Sequence, residues 1–384
     1  VIEHDAVAEH AGERQNDGDD GDVLHTVAQG LQQALPSQLV VEHGADQQGV
    51  CAGKGAGLGG AHDAEADQDD QQDREQNGPD TIQHRAHAVN PSDFDNFWEG
   101  TLKEARQVPL SSTMELLPSR CTETVNVYQV SFQNIRQGSR TFGILCMPKA
   151  SGNYPALLRV PGAGVRPYYG DVETAAKGAI TLEIGIHGIP VTMQQSVYDE
   201  LAYGALYNYQ YQNDDNRNYS YYKRVFVGAL RAVDFITSLP QYNGKALGVT
   251  GSSQGGALSM VTAALDKRVT FYAAIHPAMC DHRAHLQKVA GGWPHYFYYF
   301  PTPTPQRIQT ADYYDMVNFA RRITVPGWFS WGYNDDVCPP TSTYAAYNSI
   351  TAPKELHPYL ETGHYWYQEQ YEQWSQWLWA QMGL

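Results

Sequence analysis

The stretch that decides the fold is Ala246-Leu-Gly-Val-Thr-Gly-Ser-Ser-Gln-Gly-Gly-Ala257. Its first half is an apolar run typical of a buried strand. Leu258 and Val261, which follow the stretch, have the spacing of apolar residues in a helix. Residues 251–255 fit the pattern G-x-S-x-G, in which a strained turn from strand to helix lifts a serine hydroxyl clear of the sheet. We therefore predict that Ser253 is a nucleophile. The alternative is a glycine-rich turn with an exposed serine.

Glycine is predicted to be required at positions 251, 255 and 256 of this turn. A β-carbon at any of them would collide with the neighbouring strand or helix.

Strand patterns alternate with helix patterns around this turn. Further strands are predicted over residues 154–160, 178–184, 271–275, 326–331 and 354–361, and helices over 222–239, 314–322 and 367–382. Before them come a helix from Pro91 with Ser92 as N-cap and an antiparallel pair, 125–132 and 141–147. Segments 198–222 and 290–309 are predicted to be irregular. This order predicts an α/β-hydrolase fold: a mostly parallel sheet flanked by helices, with antiparallel strands at its N-terminal side and chemistry at the carboxyl ends of strands.

Residues 1–90 differ in composition from the rest of the chain. They contain no Phe, Trp or Tyr, and their 18 acidic and 4 basic residues give a net charge of −14 out of −16 for the whole chain. Low hydrophobicity with high charge predicts disorder. The abrupt change near Asn90 also suggests a segment that is not native to the protein, which native peptides from 1–85 in a mass spectrum would exclude. Residues 91–384 are predicted to form the catalytic domain.

The composition also limits the kinds of partner that the chain is expected to bind. The chain has no apolar run long enough to span a membrane and no visible signal peptide, and its near-neutral, aromatic-rich part has no basic stripe for nucleic acid. We therefore predict neither membrane nor nucleic acid as a partner and assign no compartment. The five cysteines (51, 121, 146, 280 and 338) have neither zinc nor disulfide spacing and are predicted to be free, mostly buried thiols.

A serine nucleophile needs a base, and the base needs an orienting acid. In this fold the acid and the histidine follow the serine in the chain, each on a loop after a strand. Asp335 and Asp336 follow one predicted strand and His364 follows the last one. We predict a triad of Ser253, one of these two aspartates and His364. As alternatives, the aspartates cap the helix that begins near residue 340, and His364 merely closes a strand.

No metal and no cofactor are predicted. His187, His276, His282, His285, His295 and His357 lack a matching pattern, and no third ligand is near the pair His282 and His285.

An oxyanion hole is also required, because negative charge develops on the substrate oxygen. The backbone N–H of Gln254, directly after the nucleophile, is one predicted donor. The other is predicted in the loop 161–164, at Gly162 or Ala163, since Pro161 has no N–H.

Residues 91–384 resemble the acetyl xylan esterase/cephalosporin C deacetylase family (carbohydrate esterase family seven), in the form common in gut Bacteroidetes. The resemblance is carried by Pro-Ser-Asp-Phe-Asp at 91–95, Gly-Ser-Ser-Gln-Gly-Gly-Ala at 251–257, Asp-Met-Val-Asn-Phe-Ala at 315–320, Cys-Pro-Pro-Thr-Ser at 338–342, Ala-Ala-Tyr-Asn at 345–348 and Gly-His at 363–364.

The resemblance implies that the acid is Asp335, three residues before Cys-Pro-Pro. It implies deacetylation of acetylated sugars, often short xylo-oligosaccharides, by ring-like homo-oligomers, and relatives are commonly secreted or periplasmic.

Two family motifs differ in this chain. The usual His-Gly-Tyr of the oxyanion loop is Pro-Gly-Ala at 161–163, so the donor amide belongs to Ala163 and the tyrosine side chain is missing. The usual Arg-Gly-Gln is His-Gly-Ile at 187–189, so a structural arginine is replaced by His187.

Three other functions fit the residues. A peptidase or general esterase shares the elbow and triad, and a non-catalytic carbohydrate-binding relative shares the fold. The acidic N-terminal segment could also make the chain a binding module.

Overall fold

The predicted strands assemble into one central sheet. The computed structural model describes residues 84–384 of the chain. Within them the strands are Thr113–Leu116 (β1), Val125–Gln133 (β2), Arg140–Pro148 (β3), Tyr154–Arg159 (β4), Ile180–Ile184 (β5), Tyr242–Ser252 (β6), Phe271–Ile275 (β7), Gly327–Gly332 (β8) and Lys354–Tyr359 (β9). The sheet has the order β1-β2-β3-β5-β4-β6-β7-β8-β9.

The sheet is antiparallel at one side and parallel over the rest. β1, β2, β3 and β5 pair antiparallel, whereas β5, β4, β6, β7, β8 and β9 pair parallel. This confirms the predicted α/β-hydrolase arrangement. Because helices cover both faces of a parallel sheet, its central strands are buried, and all five residues of β7 are buried and apolar.

Helices flank the sheet, and their apolar side chains pack with those of the strands to form the core. They are Phe94–Gln107 (α1), Val172–Ala176 (α2), Gln195–Tyr203 (α3), Tyr221–Ser238 (α4), Gln254–Leu265 (α5), Tyr296–Tyr299 (α6), Pro305–Tyr313 (α7), Met316–Ala320 (α8), Pro340–Asn348 (α9) and Gln368–Met382 (α10). The largest apolar cluster includes residues of α4 and α5, whereas Trp374 and Leu378 of α10 share a second cluster with Trp328. None of these described helices has the length and apolarity needed to cross a bilayer.

Several predicted element boundaries were wrong. α1 begins at Phe94 rather than at Pro91, and its N-cap is Asp93 rather than Ser92. The Asp93 carboxylate binds Arg217 at 2.9 Å instead of a backbone amide. Edge strand β1 was missed because its four residues are all exposed and carry no alternating pattern.

The two segments predicted to be irregular contain helices. Segment 198–222 begins within α3, and segment 290–309 contains α6 and the start of α7. The predicted helix 314–322 is shortened to α8. Thr304 and Pro305 are the N-cap and first residue of α7, and the Thr304 side chain accepts a hydrogen bond from the Arg307 amide. This start signal was obscured by the aromatic and proline content around it.

The described part of the N-terminal segment contacts the domain that follows it. The backbone N–H and Nδ1 of His87 lie 2.9 and 2.8 Å from the Asp281 carboxylate. The Asn318 side chain donates to the Val89 carbonyl at 2.8 Å. The predicted disorder or foreign origin of this segment otherwise concerns residues 1–83, which lie outside the described residues.

The thiols of the described residues are free, as predicted. Cys146, Cys280 and Cys338 are buried and Cys121 is half-buried. Cys51 lies outside the described residues.

Candidate active site

Ser253 occupies a strained turn between β6 and α5. Its backbone has φ 59° and ψ −120°, a conformation that non-glycine residues rarely adopt outside such elbows. The turn is fastened to the next strand, since the Ser253 N–H donates to the Ile275 carbonyl at 2.9 Å. The serine therefore stands at the carboxyl end of the sheet, as the elbow motif predicts.

Close backbone packing explains the glycines around Ser253. A β-carbon on Gly251 or Gly255 would lie 2.4 or 2.3 Å from the Val160 carbonyl oxygen, and one on Gly256 would lie 2.9 Å from the Ile275 carbonyl oxygen. The prediction that these positions require glycine is confirmed.

Asp335 and His364 are hydrogen-bonded to each other on the loops after β8 and β9. The Nδ1 of His364 lies 2.7 Å from Oδ2 of Asp335. The other oxygen of Asp335 accepts the backbone N–H groups of Val337 and Cys338 at 2.9 and 2.7 Å. The carboxylate is thus fully buried and fixed by the backbone before it orients the imidazole.

The alternative aspartate is placed differently. Asp336 is exposed, whereas Asp335 is buried against His364. Neither residue caps α9, whose N-cap is Pro339 without a side-chain hydrogen bond. Asp335 is therefore the acid that this geometry pairs with the histidine.

The thiol of Cys338 lies beside the predicted nucleophile. Burial raises the pKa of this thiol well above the usual range, Asp335 raises it further, and the nearby Ser253 hydroxyl lowers it. Because the thiolate is the reactive form, this cysteine stays protonated and does not compete with the serine.

His276 is a site residue that the sequence analysis missed. It follows β7 directly, is 2% exposed, and its ring centroid lies 4.2 Å from that of His364. Its Nε2 is 2.6 Å from Oγ of Ser252, the residue before the nucleophile. Burial, followed by the proximity of His364, lowers the pKa of His276 well below the usual range, so its ring is neutral. Its place at a strand end, beside the strand that carries the elbow, was the signal available in the sequence.

Gln254 links the elbow to the loop 161–164. Its side-chain Nε2 donates to the Pro161 and Gly162 carbonyls at 3.2 and 3.4 Å. Its Oε1 accepts the hydroxyls of Tyr209 and Tyr222 at 2.8 and 3.0 Å. The two predicted oxyanion donors therefore lie on segments that one buried side chain holds together.

Two further side chains hold the carbonyls of this loop. The Arg166 guanidinium donates to the Ala163 and Gly162 oxygens at 2.7 and 3.3 Å. His187 lies with Nε2 2.9 Å from the Gly164 oxygen. With its carbonyls held in this way, the orientation of the Ala163 N–H is restricted.

Neighbouring groups determine the tautomer of His187. Arg224 donates to the Tyr221 hydroxyl at 2.8 Å, and that hydroxyl lies 2.6 Å from Nδ1 of His187. The Gly164 carbonyl can only accept, so Nε2 carries the ring proton and donates to it. Nδ1 of the neutral ring then accepts from the Tyr221 hydroxyl. Burial lowers the pKa of His187 to about 4, which keeps this neutral form at neutral pH. A neutral imidazole thus stands where the family has an arginine.

The aromatic residues at 293–299 differ in exposure. Tyr296 and Phe297 are buried in a packed cluster, Trp293 is half-buried, and Tyr298 and Tyr299 are exposed. The backbone of Trp293 joins the loops after β7 and β8, since it donates to the Val337 carbonyl at 3.0 Å and accepts from the Met279 N–H at 2.7 Å.

Comparison with known proteins identifies the family of this chain. The model of the acetyl xylan esterase family AXE1 matches residues 80–381. The chain belongs to the acetyl xylan esterase family. An acetyl esterase of Xylanibacter ruminicola, Axe7A, is 43% identical over 277 residues, which cover 71% of this chain and 63% of that protein. The chain thus spans less than two thirds of the length of this family member.

Solved structures of the family have the same fold. An acetyl xylan esterase from Paenibacillus sp. R4 superposes with a TM-score of 0.67 at 25% identity and covers 77% of this chain and 97% of its own. Acetyl xylan esterase 1 from Thermoanaerobacterium sp. JW/SL YS485 gives 0.64 at 24% identity, covers 77% of this chain and 96% of its own, and supports the fold alone.

Proposed function

We propose that this chain is a serine carboxylesterase that removes acetyl groups from acetylated carbohydrates, namely xylan or xylo-oligosaccharides, with cephalosporin C as a further substrate. The observation that carries the proposal is the buried hydrogen bond between Asp335 and His364, at the same sheet edge as the strained Ser253. Because the chain belongs to the acetyl xylan esterase family, we expect the substrates of this hydrolase to be acetyl esters. The reaction needs no cofactor.

In the first half-reaction Ser253 attacks the acetyl carbonyl while His364 takes the hydroxyl proton. Asp335 holds the imidazole with its proton on Nδ1 and stabilises the imidazolium that forms. The backbone N–H groups of Gln254 and Ala163 receive the developing oxyanion. The sugar alkoxide then leaves with the proton from His364, and the acetyl group stays on Ser253.

In the second half-reaction a water molecule attacks the acetyl-enzyme. His364 takes one proton from the water, and the same two N–H groups stabilise the second oxyanion. Collapse of this intermediate releases acetate and returns the proton to Ser253. The α5 N-terminus at Gln254 adds the positive end of a helix dipole to the oxyanion site.

Ala163 distinguishes the acyl pocket from that of the family. A methyl group in place of a tyrosine ring leaves more room next to the oxyanion loop, while the donor amide is retained. Acyl groups somewhat larger than acetyl should therefore be accepted better than by relatives with tyrosine at this position.

A series of p-nitrophenyl esters tests the reaction class on the full chain. We expect kcat/KM to fall as the acyl group lengthens from acetyl to butyryl and octanoyl, and a fluorophosphonate to label Ser253. A maximum at long acyl chains would indicate a general esterase, and hydrolysis of peptide but not ester substrates would indicate a peptidase. Failure of the fluorophosphonate to react would point to a non-catalytic carbohydrate-binding relative.

The organisation of the chain is a separate part of the proposal. We propose that residues 91–384 are the catalytic domain, that 1–90 take no part in the reaction, and that the domain forms homo-oligomers. Acetate release should be unchanged when residues 1–83 are deleted, because the contacts of His87 and Val89 are then retained. Light scattering after size-exclusion chromatography would show a monomer if the oligomer proposal is wrong.

A further inference from the structure

His276 adds a third potential metal ligand to the proposed triad. The residues His276, Asp335 and His364 each offer one ligand atom, and these atoms all lie within 4.8 Å of one another. They follow β7, β8 and β9, three neighbouring parallel strands. The hydrolytic mechanism gives a role to Asp335 and His364 but none to His276.

With its proton on Nε2, the ring of His276 has the hydrogen-bond pattern of a metal-binding histidine. Such residues usually donate one ring N–H to an outer group, which fixes the tautomer and leaves the other nitrogen for the metal. Ser252 Oγ lies 2.6 Å from Nε2 and supplies that outer group. The Nδ1 atom is buried and has no hydrogen-bond partner. With the proton on Nε2, Nδ1 carries an unused lone pair, which is a costly arrangement in a protein interior.

The ligand set suits a small transition-metal ion. Two imidazoles and one carboxylate are ligands that Zn²⁺ takes, with a water or substrate in the fourth position. Zn–N and Zn–O bonds of about 2.0–2.2 Å require ligand atoms roughly 3.3 Å apart, so the group has to contract. Asp335 is held by the backbone, whereas His364 is 23% exposed and has room to turn.

We propose that His276, Asp335 and His364 form a reversible inhibitory site for a divalent transition-metal ion, with Zn²⁺ as the ion it fits best. Binding through Nε2 of His364 takes the lone pair that accepts the serine proton. Binding through Nδ1 breaks the hydrogen bond to Asp335 instead. Either mode removes the general base, so one bound ion stops hydrolysis. The inhibition rests on the proposed function, whereas the binding does not.

No metal is predicted from the sequence, because these three residues are not close together in the chain. His276 enters the set only through the parallel pairing of β7 with β6 and β8.

The test compares zinc binding and zinc inhibition in the full wild-type chain and in His276→Phe. Phenylalanine keeps the ring against His364 and removes both nitrogens. We expect the zinc concentration for half-inhibition of p-nitrophenyl acetate hydrolysis to rise at least tenfold in the variant, each protein being compared with its own metal-free rate. The matched control His282→Phe removes another buried histidine, from outside the set, and should keep the wild-type zinc response.

Calorimetric titration with Zn²⁺ and the visible spectrum of bound Co²⁺ report binding without activity. Seven histidines lie in residues 1–90, so the difference between proteins, rather than the total binding, is decisive. We expect His276→Phe to bind one Zn²⁺ ion fewer per chain than the wild type. The variant should also lack the visible bands of tetrahedral Co²⁺ that this site gives. His276→Gln, which is also expected to lose the site, serves if the phenylalanine variant does not fold.

The proposal would be overturned if zinc inhibited and bound both His276 variants as strongly as it does the wild type. Zinc that binds at His276 of the wild type without changing the rate of hydrolysis would also overturn the proposal, because the site would then not be inhibitory. An enzyme without esterase activity that still loses one Co²⁺ site on His276 substitution would uphold the metal site and refute the proposed function.

Discussion

The imidazole of His364 lies 2.7 Å from the carboxylate of Asp335, which is itself held by the N–H groups of Val337 and Cys338. The loop after β8 therefore fixes the acid, and the acid fixes the tautomer of the base. The buried carboxylate distinguishes this proposed catalytic pair from ion pairs at exposed sites, which contribute little to stability.

Asp335→Asn should preserve the shape of the site and remove its function. An amide in this place favours the wrong imidazole tautomer, and the corresponding change in a serine protease lowers kcat about 10⁴-fold. We expect a loss of that order with p-nitrophenyl acetate as substrate. Asp336→Asn, the neighbouring control, should stay within about twofold of the wild type. Equal effects of the two substitutions would refute the choice of acid.

His187→Phe should weaken catalysis through the oxyanion loop. The substitution removes the hydrogen bond from Nε2 to the Gly164 carbonyl and loosens the Ala163 amide. Loss of a whole oxyanion donor costs about 10²–10³ in kcat, so a misaligned one should cost roughly tenfold or more. The effect should fall on kcat rather than KM. His357→Phe, a histidine away from this loop, is the control, and a change confined to KM would argue against the assignment.

Gly255→Ala should severely destabilise the protein. The new methyl group would lie 2.3 Å from the Val160 carbonyl oxygen, which the sheet holds in place. We expect a loss of roughly 3 kcal/mol or more in the free energy of unfolding. Gly100→Ala is the matched change in an open helical position, where no atom lies within 4 Å of the new carbon. It should stabilise α1 by about 0.5–1 kcal/mol, and urea unfolding would reveal either value.

His282 should make the fold sensitive to acid. Burial lowers the pKa of His282 to about 3, below the unfolded value near 6.5. The unfolded chain therefore binds the proton first, and the stability present above pH 6.5 is lost as the pH falls towards 3. Comparison of unfolding at pH 7 and 4.5 should show that wild type loses about 2 kcal/mol more than His282→Phe. Identical losses would mean that His282 is protonated without cost.

Much of the architecture could be predicted from local sequence patterns. Strand β7 and helix α10 were predicted within a residue, because β7 is an uninterrupted apolar run and the apolar residues of α10 recur at helical spacing. The exposed edge strand β1 and the helices in 195–203 and 305–313 were not, since their residues face solvent or are interrupted by proline and tyrosine.

Some residues of the candidate site could also be predicted from the sequence, and others could not. Ser253, His364 and the pair Asp335 and Asp336 were predicted because each follows a strand in a known order, and the choice of Asp335 came from the family resemblance. His276 and the supports of the oxyanion loop, Arg166 and Tyr209, were not predicted. Their roles come from pairing between strands and from contacts between distant segments, which spacing along the chain does not encode.

Acetate release from acetylated xylan by the full chain, measured beside Ser253→Ala, tests the central claim most directly. Ser349→Ala controls for removal of a serine hydroxyl outside the site. We expect release by the wild type and the control, and a loss of several orders of magnitude in Ser253→Ala, because the triad acts as a unit. Acetate release by Ser253→Ala at the wild-type rate would contradict the proposed mechanism, and its absence from an intact wild type would contradict the proposed substrate.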